Sequence, residues 1–173
     1  QSAQQKDKQK DRQPSSLQAR QELSQALDWA TAVAFGPGLG QDQWANELFV
    51  QLFDYLALTP KSVVIDADAL NLLASQIHDP KIRAVLEKLP ACIVTPHPGE
   101  AARLLATQVD NIEQDRYQAC AQIAKEYQVT CVLKGAGSVI TSPESQYSWV
   151  CQGGNPGMAT AGMGDVLTGI VGG

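Results

Sequence analysis

The sequence predicts an α/β fold, a mainly parallel sheet covered by helices with a β-hairpin near the C-terminal end. Three observations carry this. Short apolar runs recur along most of the chain, separated by segments of helical periodicity. Those runs do not alternate apolar with polar, so both faces of each strand are expected to be buried, as in a parallel sheet. Helices also fall between successive strands, the pattern of βαβ units. With 173 residues, 44% hydrophobic and 18% charged, the chain is long enough for one domain with a substantial core.

Residues 1–16 hold one apolar side chain, Ala3, and carry a charge of +2 from Lys6, Lys8, Lys10 and Arg12 against Asp7 and Asp11. Such a segment cannot bury enough surface to offset its ordering entropy, so a polar, flexible tail or loop is expected there and the folded domain over 17–173. Its interleaved acids argue for solvation rather than a binding patch. Ser15 and Gln18 have capping-box spacing, and Leu23, Ala26, Leu27 and Ala30 follow on one helical face. Thr31 to Phe35 reads as the first strand and Gly36-Pro37-Gly38-Leu39-Gly40 as a turn. Trp44, Leu48, Leu52, Tyr55 and Leu56 mark the apolar face of the next helix, and Ser62 to Asp66 the second strand.

Asp66 and Asp68 are placed to cap a helix beginning near Ala69. A third strand, Ala91 to Thr95, leads into Pro96-His97-Pro98-Gly99-Glu100 and a helix through Leu105. Asp110 and Glu113 suggest another capping box, for a helix whose stripe is Ile112, Ala119, Ile123, Ala124 and Tyr127. Val129 to Leu133 is the fourth strand. Gly137 to Thr141 and Gln146 to Cys151, divided by Ser142-Pro143-Glu144-Ser145, form the expected hairpin.

Composition excludes several classes. A net charge of -5 lacks the basic footprint of a nucleic-acid binder. No apolar run reaches the roughly 18–20 residues of a membrane span, and the first residues are too polar for a signal peptide. Cys92, Cys120, Cys131 and Cys151 form no C-x-x-C pair and read as free thiols, which suits a reducing, cytoplasmic location. With only His78 and His97 beside them, a metal cluster has few partners. The chain ends at Ile170-Val171-Gly172-Gly173, inside an apolar stretch, an ending expected of a fragment.

In an open α/β sheet, ligands bind beyond the carboxyl ends of the strands. There the four strands run into Gly36 to Gly40, Asp66-Ala67-Asp68, Thr95 to Glu100 and Lys134-Gly135-Ala136-Gly137. The segment from Gly153 to Asp165 is rich in small residues and leads into an apolar helix start at Val166. Glycines beside a helix N-terminus expose N–H groups that suit a phosphate. Asp165 at its lip reads either as the helix N-cap or as a base that takes a proton from an attacking hydroxyl. Lys134 reads either as a solvated strand end or as a phosphate contact. His97 is a rigid turn residue or a ligand contact, and Glu100 a first-turn acid or a functional carboxylate. No G-x-x-x-x-G-K-[ST] occurs, and the G-x-G-x-G at Gly36 with Pro37 inside it is no dinucleotide fingerprint.

Five segments in order, Gly36 to Gly40, Asp66-Ala67-Asp68-Ala69-Leu70-Asn71-Leu72-Leu73, Thr95 to Ala101, Lys134 to Gly137 and Asn155 to Asp165, resemble the ADP-dependent NAD(P)H-hydrate dehydratases of the ribokinase-like superfamily. The resemblance implies a three-layer fold, here incomplete at both ends, because the family's opening glycine-rich segment and closing helices have no counterpart. It implies the dehydration of the S-form of hydrated NADH or NADPH through phosphorylation by ADP (or ATP) and loss of phosphate, with Mg2+. Asp165 would be the catalytic base, and Gly162, Met163 and Gly164 the anion hole. Gly38, His97 and Asp165 match substrate-binding positions. Lys134, Gly135, Ala136, Gly137, Ser138 and Gly164 match nucleotide-binding ones, with Asn155 lining the nucleotide side. Glu100 matches an acid acting near magnesium, although His97 replaces the asparagine of that motif. An epimerase domain in the same full-length chain is the implied partner, and a homo-oligomer is left open. A small-molecule kinase of the same superfamily and an inactive nucleotide-binding fragment are the alternative readings.

Overall fold

The computed structural model describes residues 16–154, 160 and 162–173. Residues 1–15, with Ser15 of the expected capping box and nearly all of the expected tail, lie outside the described residues. Two compact units are present. The first, ending at Ala30, contains helix α1 (Ser16–Trp29); the second is Thr31–Gly173.

The second unit is built on a six-stranded sheet in the order β1 (Ala32–Phe35), β2 (Ser62–Ile65), β3 (Cys92–Val94), β4 (Thr130–Leu133), β5 (Val139–Thr141), β6 (Trp149–Val150). The first four are parallel in register, with Ala34 opposite Val64, Ile65 opposite Val94 and Val94 opposite Cys131. The last two run antiparallel, β5 against β4 and β6 against β5, as the expected hairpin. The α/β expectation of a mainly parallel sheet is what is observed. Between the parallel strands lie α2 (Gln43–Leu58), α3 (Asp68–Gln76), α4 (Pro80–Leu86), α5 (Pro98–Leu104), α6 (Val109–Gln114) and α7 (Arg116–Tyr127), and α8 (Met163–Gly172) follows the hairpin. None of the described helices is long and apolar enough to cross a membrane.

Strand order decides where the helices go. Right-handed crossovers that step the same way along a sheet deposit their helices on the same face. Phe35 accordingly meets Phe49 of α2, ring centroids 6.4 Å apart, and Phe49 stacks on Phe53 at 4.6 Å. Adjacent residues of a strand point to opposite faces. Ala34 and its partner Val64 therefore face α8, where a Cβ added at Gly172 would lie 3.7 Å from Ala34 and 3.9 Å from Val64. Three layers result: crossover helices, sheet, α8.

Several local expectations need correction. Helix α2 buries Ala45, Phe49, Leu52, Phe53 and Leu56, whereas Trp44, expected on the apolar face, is 48% exposed. The helix is rotated so that its two phenylalanines reach the sheet. The single helix expected across Ile112 and Tyr127 is two, broken at Asp115. That residue leaves helical geometry (φ -145°, ψ 85°), and its carboxylate accepts the Gln118 N–H at 2.9 Å, competing with the helical backbone. Asp110 caps nothing: it sits in the first turn of α6, whose N-cap is Gln108. Helix α4 was not foreseen, although Asp79-Pro80 is an N-cap followed by proline at the first helical position.

Cys92, Cys120 and Cys131 are buried free thiols and Cys151 is an exposed one. Burial pushes the Cys92 thiol up to about 12. Cys120 Sγ lies 3.4 and 3.3 Å from the carbonyl oxygens of Cys131 and Val139, clasping α7 to β4 and β5. Only thiolates alkylate readily, and only where reagent can reach them. A thiol-specific alkylating reagent followed by mass spectrometry should therefore label Cys151 alone in the folded protein and all four cysteines in urea. Rapid labelling of Cys92 under native conditions would contradict the packing.

Candidate functional site

The carboxyl ends of the parallel strands form one continuous rim, because the ladder of backbone hydrogen bonds runs on past the strand ends. Asp66 N–H donates to Phe35 O at 3.1 Å, Thr95 N–H to Ile65 O at 3.2 Å and Lys134 N–H to Pro96 O at 2.8 Å. Each loop is thereby fixed to its neighbour. The first is also wedged against the second. Gly36 has φ +129°, and a Cβ there would stand 1.8 Å from the Asp66 carbonyl oxygen, so only glycine permits this approach. Gly40 N–H then donates to Asp68 Oδ2 at 2.9 Å and the Gln41 amide to Oδ1 at 3.2 Å.

Asp66 stands at the centre of the rim with 1% exposure. Its expected role as a helix cap is not what the structure shows. Ala67 (φ 50°) is the N-cap of α3, without a side-chain bond. Instead Asp66 Oδ1 accepts Lys134 Nζ at 2.7 Å and Oδ2 accepts the Thr168 hydroxyl at 2.7 Å. Three distant segments, the end of β2, the end of β4 and α8, meet on one carboxylate. Burial alone would raise its pKa. The Lys134 and Thr168 hydrogen bonds, with the Thr95 hydroxyl and the Lys134 charge, outweigh burial and hold it below the usual carboxylate range. The Thr95 hydroxyl is itself buried and completes no hydrogen bond of ordinary geometry. Lys134 is thus neither a freely solvated strand end nor an unpaired cation; its ammonium also lies 3.8 Å from Glu100 Oε2.

His97 and Glu100 join the rim through a capping box. His97 is the N-cap of α5; its Nδ1 accepts the N–H of Gly99 at 2.9 Å and of Glu100 at 3.4 Å. Glu100 Oε2 accepts the His97 N–H at 2.7 Å. Nδ1 is an acceptor here, so the ring proton sits on Nε2, 3.5 Å from Glu100 Oε1 on the half-exposed side of the imidazole. Among the described residues no group of three His, Cys, Asp or Glu side chains could hold a metal ion. Two buried carboxylates beside a lysine, Asp66 and Glu100, fit a magnesium ion carried in on phosphates, which takes one or two protein carboxylates. They do not fit a resident all-protein metal cage.

Helix α8 brings in the small-residue segment. Gly162 (φ +86°) is its N-cap, which excludes that role for Asp165; Asp165 lies in the first turn, exposed. The first N–H groups of a helix have no partner within it, so this turn presents donors, of which the Met163 N–H donates to the Thr160 carbonyl oxygen at 3.3 Å. Gly164 sits against the central pair: a Cβ there would lie 3.6 Å from Asp66 Oδ2 and 3.8 Å from Lys134 Nζ. The β4–β5 loop, Gly135 to Ser138, lies at the same rim, its Ser138 carbonyl accepting the Cys151 N–H at 2.9 Å. Gly38, on the first loop, is exposed with open space where a Cβ would be. Asn155 lies outside the described residues. The structure thus brings Gly164, Lys134, Glu100 and His97 into one cluster around Asp66, and holds Gly38 on the first loop of the same rim. Two contributors were missed from the sequence, Thr168 and Arg116. For Thr168 the signal was one hydroxyl inside the apolar run Val166 to Val171.

A depressed folded-state pKa means that Asp66 adds stability above its unfolded pKa of about 3.9, and that this is lost as pH falls through the lower folded value. Asp66→Asn should lower stability at pH 7 by about 3 kcal/mol, since it takes from Lys134 its nearer counter-charge and leaves only Glu100 at 3.8 Å. The variant's stability should also fall less steeply than the parent's below about pH 4. Urea unfolding at pH 7 and at stepped acid pH checks both; parallel acid limbs would remove Asp66 as the titrating group.

Residues 6–173 match the family model described as NAD(P)H-hydrate dehydratase. The bifunctional NAD(P)H-hydrate repair enzyme Nnr of Coxiella burnetii is 45% identical over 158 residues, 90% of this chain and 29% of that protein. The ADP-dependent (S)-NAD(P)H-hydrate dehydratase of Neisseria meningitidis is 46% identical over 114 residues, 66% of this chain and 37% of that one. Among solved structures, the ADP/ATP-dependent NAD(P)H-hydrate dehydratase of Bacillus subtilis, co-crystallized with ATP/Mg2+, superposes with a TM-score of 0.67 at 31% identity, covering 82% of this chain and 46% of that one. The chain therefore spans less than half the length of each of these relatives. On the match across residues 6–173, this chain belongs to the NAD(P)H-hydrate dehydratase family.

Proposed function

We propose that the rim is the phosphoryl-transfer centre of an ADP-dependent dehydration that returns the S-form of hydrated NADH or NADPH to NAD(P)H. The observation that carries this reading is the seating of the α8 N-terminal turn, at Gly164, against the Lys134 ammonium and the buried Asp66 carboxylate. Helix N–H donors beside a fixed cation make a site for a transferring phosphoryl group, whose charge builds up on its oxygens.

In this reading the hydroxyl oxygen of the hydrated ring attacks the terminal phosphorus of ADP, its proton passes to Asp165, and AMP leaves. The phosphate ester then departs from the ring as inorganic phosphate, with loss of a ring proton. The water of the hydrate ends in the phosphate. The balance is hydrated cofactor plus ADP giving NAD(P)H, AMP, phosphate and a proton. Gly162, Met163 and Gly164 stabilise the phosphoryl oxygens through backbone N–H groups, the Met163 N–H exchanging its 3.3 Å bond to the Thr160 carbonyl oxygen for the phosphoryl group. Lys134 to Ser138, Gly164 and Asn155 hold the nucleotide. Gly38 and His97, with Asp165, hold the nicotinamide side, the imidazole edge of His97 being half-exposed beside Glu100. Mg2+ screens the phosphate charges when bound, and Glu100 is the carboxylate that would hold it.

Relatives such as the Coxiella burnetii protein are bifunctional by name. A second repair activity, the epimerase of our reading, joined to this domain in a longer chain is part of the proposal. So is a cytoplasmic location, which three buried free thiols suit.

Two outcomes follow for the assay of hydrated NADPH with ADP and Mg2+. Absorbance of the reduced nicotinamide should recover, with AMP and phosphate released one for one. No recovery, either from this chain or from a form extended at both ends, would sink the dehydratase reading. Asp165→Asn should cut turnover by about 10²–10⁴ while leaving ADP affinity by calorimetry within a factor of about three, the behaviour of a lost general base. Turnover equal to the parent's would take Asp165 out of that role.

A further inference from the structure

Arg116 opens α7, outside every motif of the rim, yet its guanidinium reaches under the β4–β5 loop. Nη1 donates to Ala136 O at 2.8 Å, and Nη2 lies 3.3 Å from both Leu133 O and Lys134 O. Three of four successive carbonyls are thus turned toward one planar cation. Gly135 permits the approach: a Cβ there would lie 2.5 Å from Nη2 and 2.9 Å from Cζ, and φ is +156°. The Nε–H is buried and without a partner, so the group is held here at a cost in unmet hydrogen bonding.

Peptide planarity carries the consequence. In a trans peptide the N–H points opposite to the C=O of the same unit. The Leu133 carbonyl points at Arg116, and the Lys134 N–H of that unit points the other way, to Pro96 O at 2.8 Å. By the same geometry the Lys134 and Ala136 carbonyls turn the N–H groups of Gly135 and Gly137 away from Arg116. Backbone N–H groups two positions apart and turned to one side of a loop can converge on an anion, and the guanidinium behind them adds positive potential.

We propose that Arg116 is a positioning residue for the nucleotide: gathering the carbonyls of residues 133, 134 and 136, it aims the Gly135 and Gly137 N–H groups at a nucleoside diphosphate without touching it. The inference rests on the nucleotide reading of this loop. Lysine is a poor substitute, because a single ammonium cannot reproduce a planar fork serving three acceptors.

The test is an ADP titration of the isotope-labelled protein, following the backbone amide resonances. In the parent, Gly135 and Gly137 should shift on ADP addition. In Arg116→Met and Arg116→Lys, ADP should bind about tenfold or more weakly, a loss expected when charged hydrogen bonds are removed. The Gly135 and Gly137 shifts should disappear while the remaining resonances stay in place. Guanidinium ion added at millimolar concentration should restore part of the affinity of Arg116→Met and none of Arg116→Lys. In turnover the variants should raise KM for ADP with kcat nearly unchanged. ADP affinity equal to the parent's in either variant would overturn the proposal. If Arg116→Met fails to fold, Arg116→Lys decides it. If the parent binds ADP with shifts elsewhere but none in residues 134–138, the nucleotide reading of the loop fails, and this inference with it. If the parent loop responds and the variants respond identically, only the role of Arg116 fails.

Discussion

The arrangement of the rim depends on one carboxylate. Asp66 is the point at which β2, β4 and α8 are tied, and its two oxygens divide the work: one holds Lys134, the other Thr168. A buried anion is costly unless charge and hydrogen bonds compensate it, and here both do. The compensation is also what makes it informative. Lys134 cannot relax into solvent without stranding Asp66, and α8 cannot move off the sheet without stranding it again. Glu100 sits within reach of the same ammonium, and the His97 capping box locks Glu100 in turn. A chain of polar contacts therefore runs from α8 to α5 across three strand ends.

Much of this was legible in the sequence, and the reason is local chemistry. Parallel strands declare themselves as short unbroken apolar runs, and Gly36 to Gly40 declares a turn that only glycine can make. Capping was less legible. His97 with Glu100 satisfies a capping box although histidine is not a preferred N-cap, whereas Asp110 with Glu113 has the spacing and does not cap. Spacing shows which groups can meet, while packing decides which do: the helix there is capped two residues earlier, at Gln108, and Asp115 breaks it later.

The long-range partners could not be read at all. Asp66 and Thr168 lie 102 positions apart, and Arg116 and Ala136 lie 20 apart on elements whose pairing is fixed by the sheet. Asp66 looked like a cap because a carboxylate before a helix usually is one; burial at the centre of a sheet rim turned it into a counter-ion. Arg116 belongs to no motif of the sequence. What gives it meaning is Gly135, whose missing side chain opens the space that the guanidinium occupies.

The order of the strands has one more consequence. Four parallel strands following one another in sequence order send every crossover to one side, and among the described residues of this unit α8 packs on the other. That helix links no pair of parallel strands, so no backbone ladder fixes its position along its own axis. Among the described residues its setting on the sheet rests on the close approach of Gly172 to Ala34 and Val64 and on the Thr168 hydrogen bond to Asp66. A slip of one residue, about 1.5 Å along the axis, would leave every strand pair intact and yet misplace the Gly162 to Asp165 turn. The glycine-rich N-terminal turn of α8 can thus be retuned mechanically, as a sliding bolt is, while the sheet beneath it stays as it is.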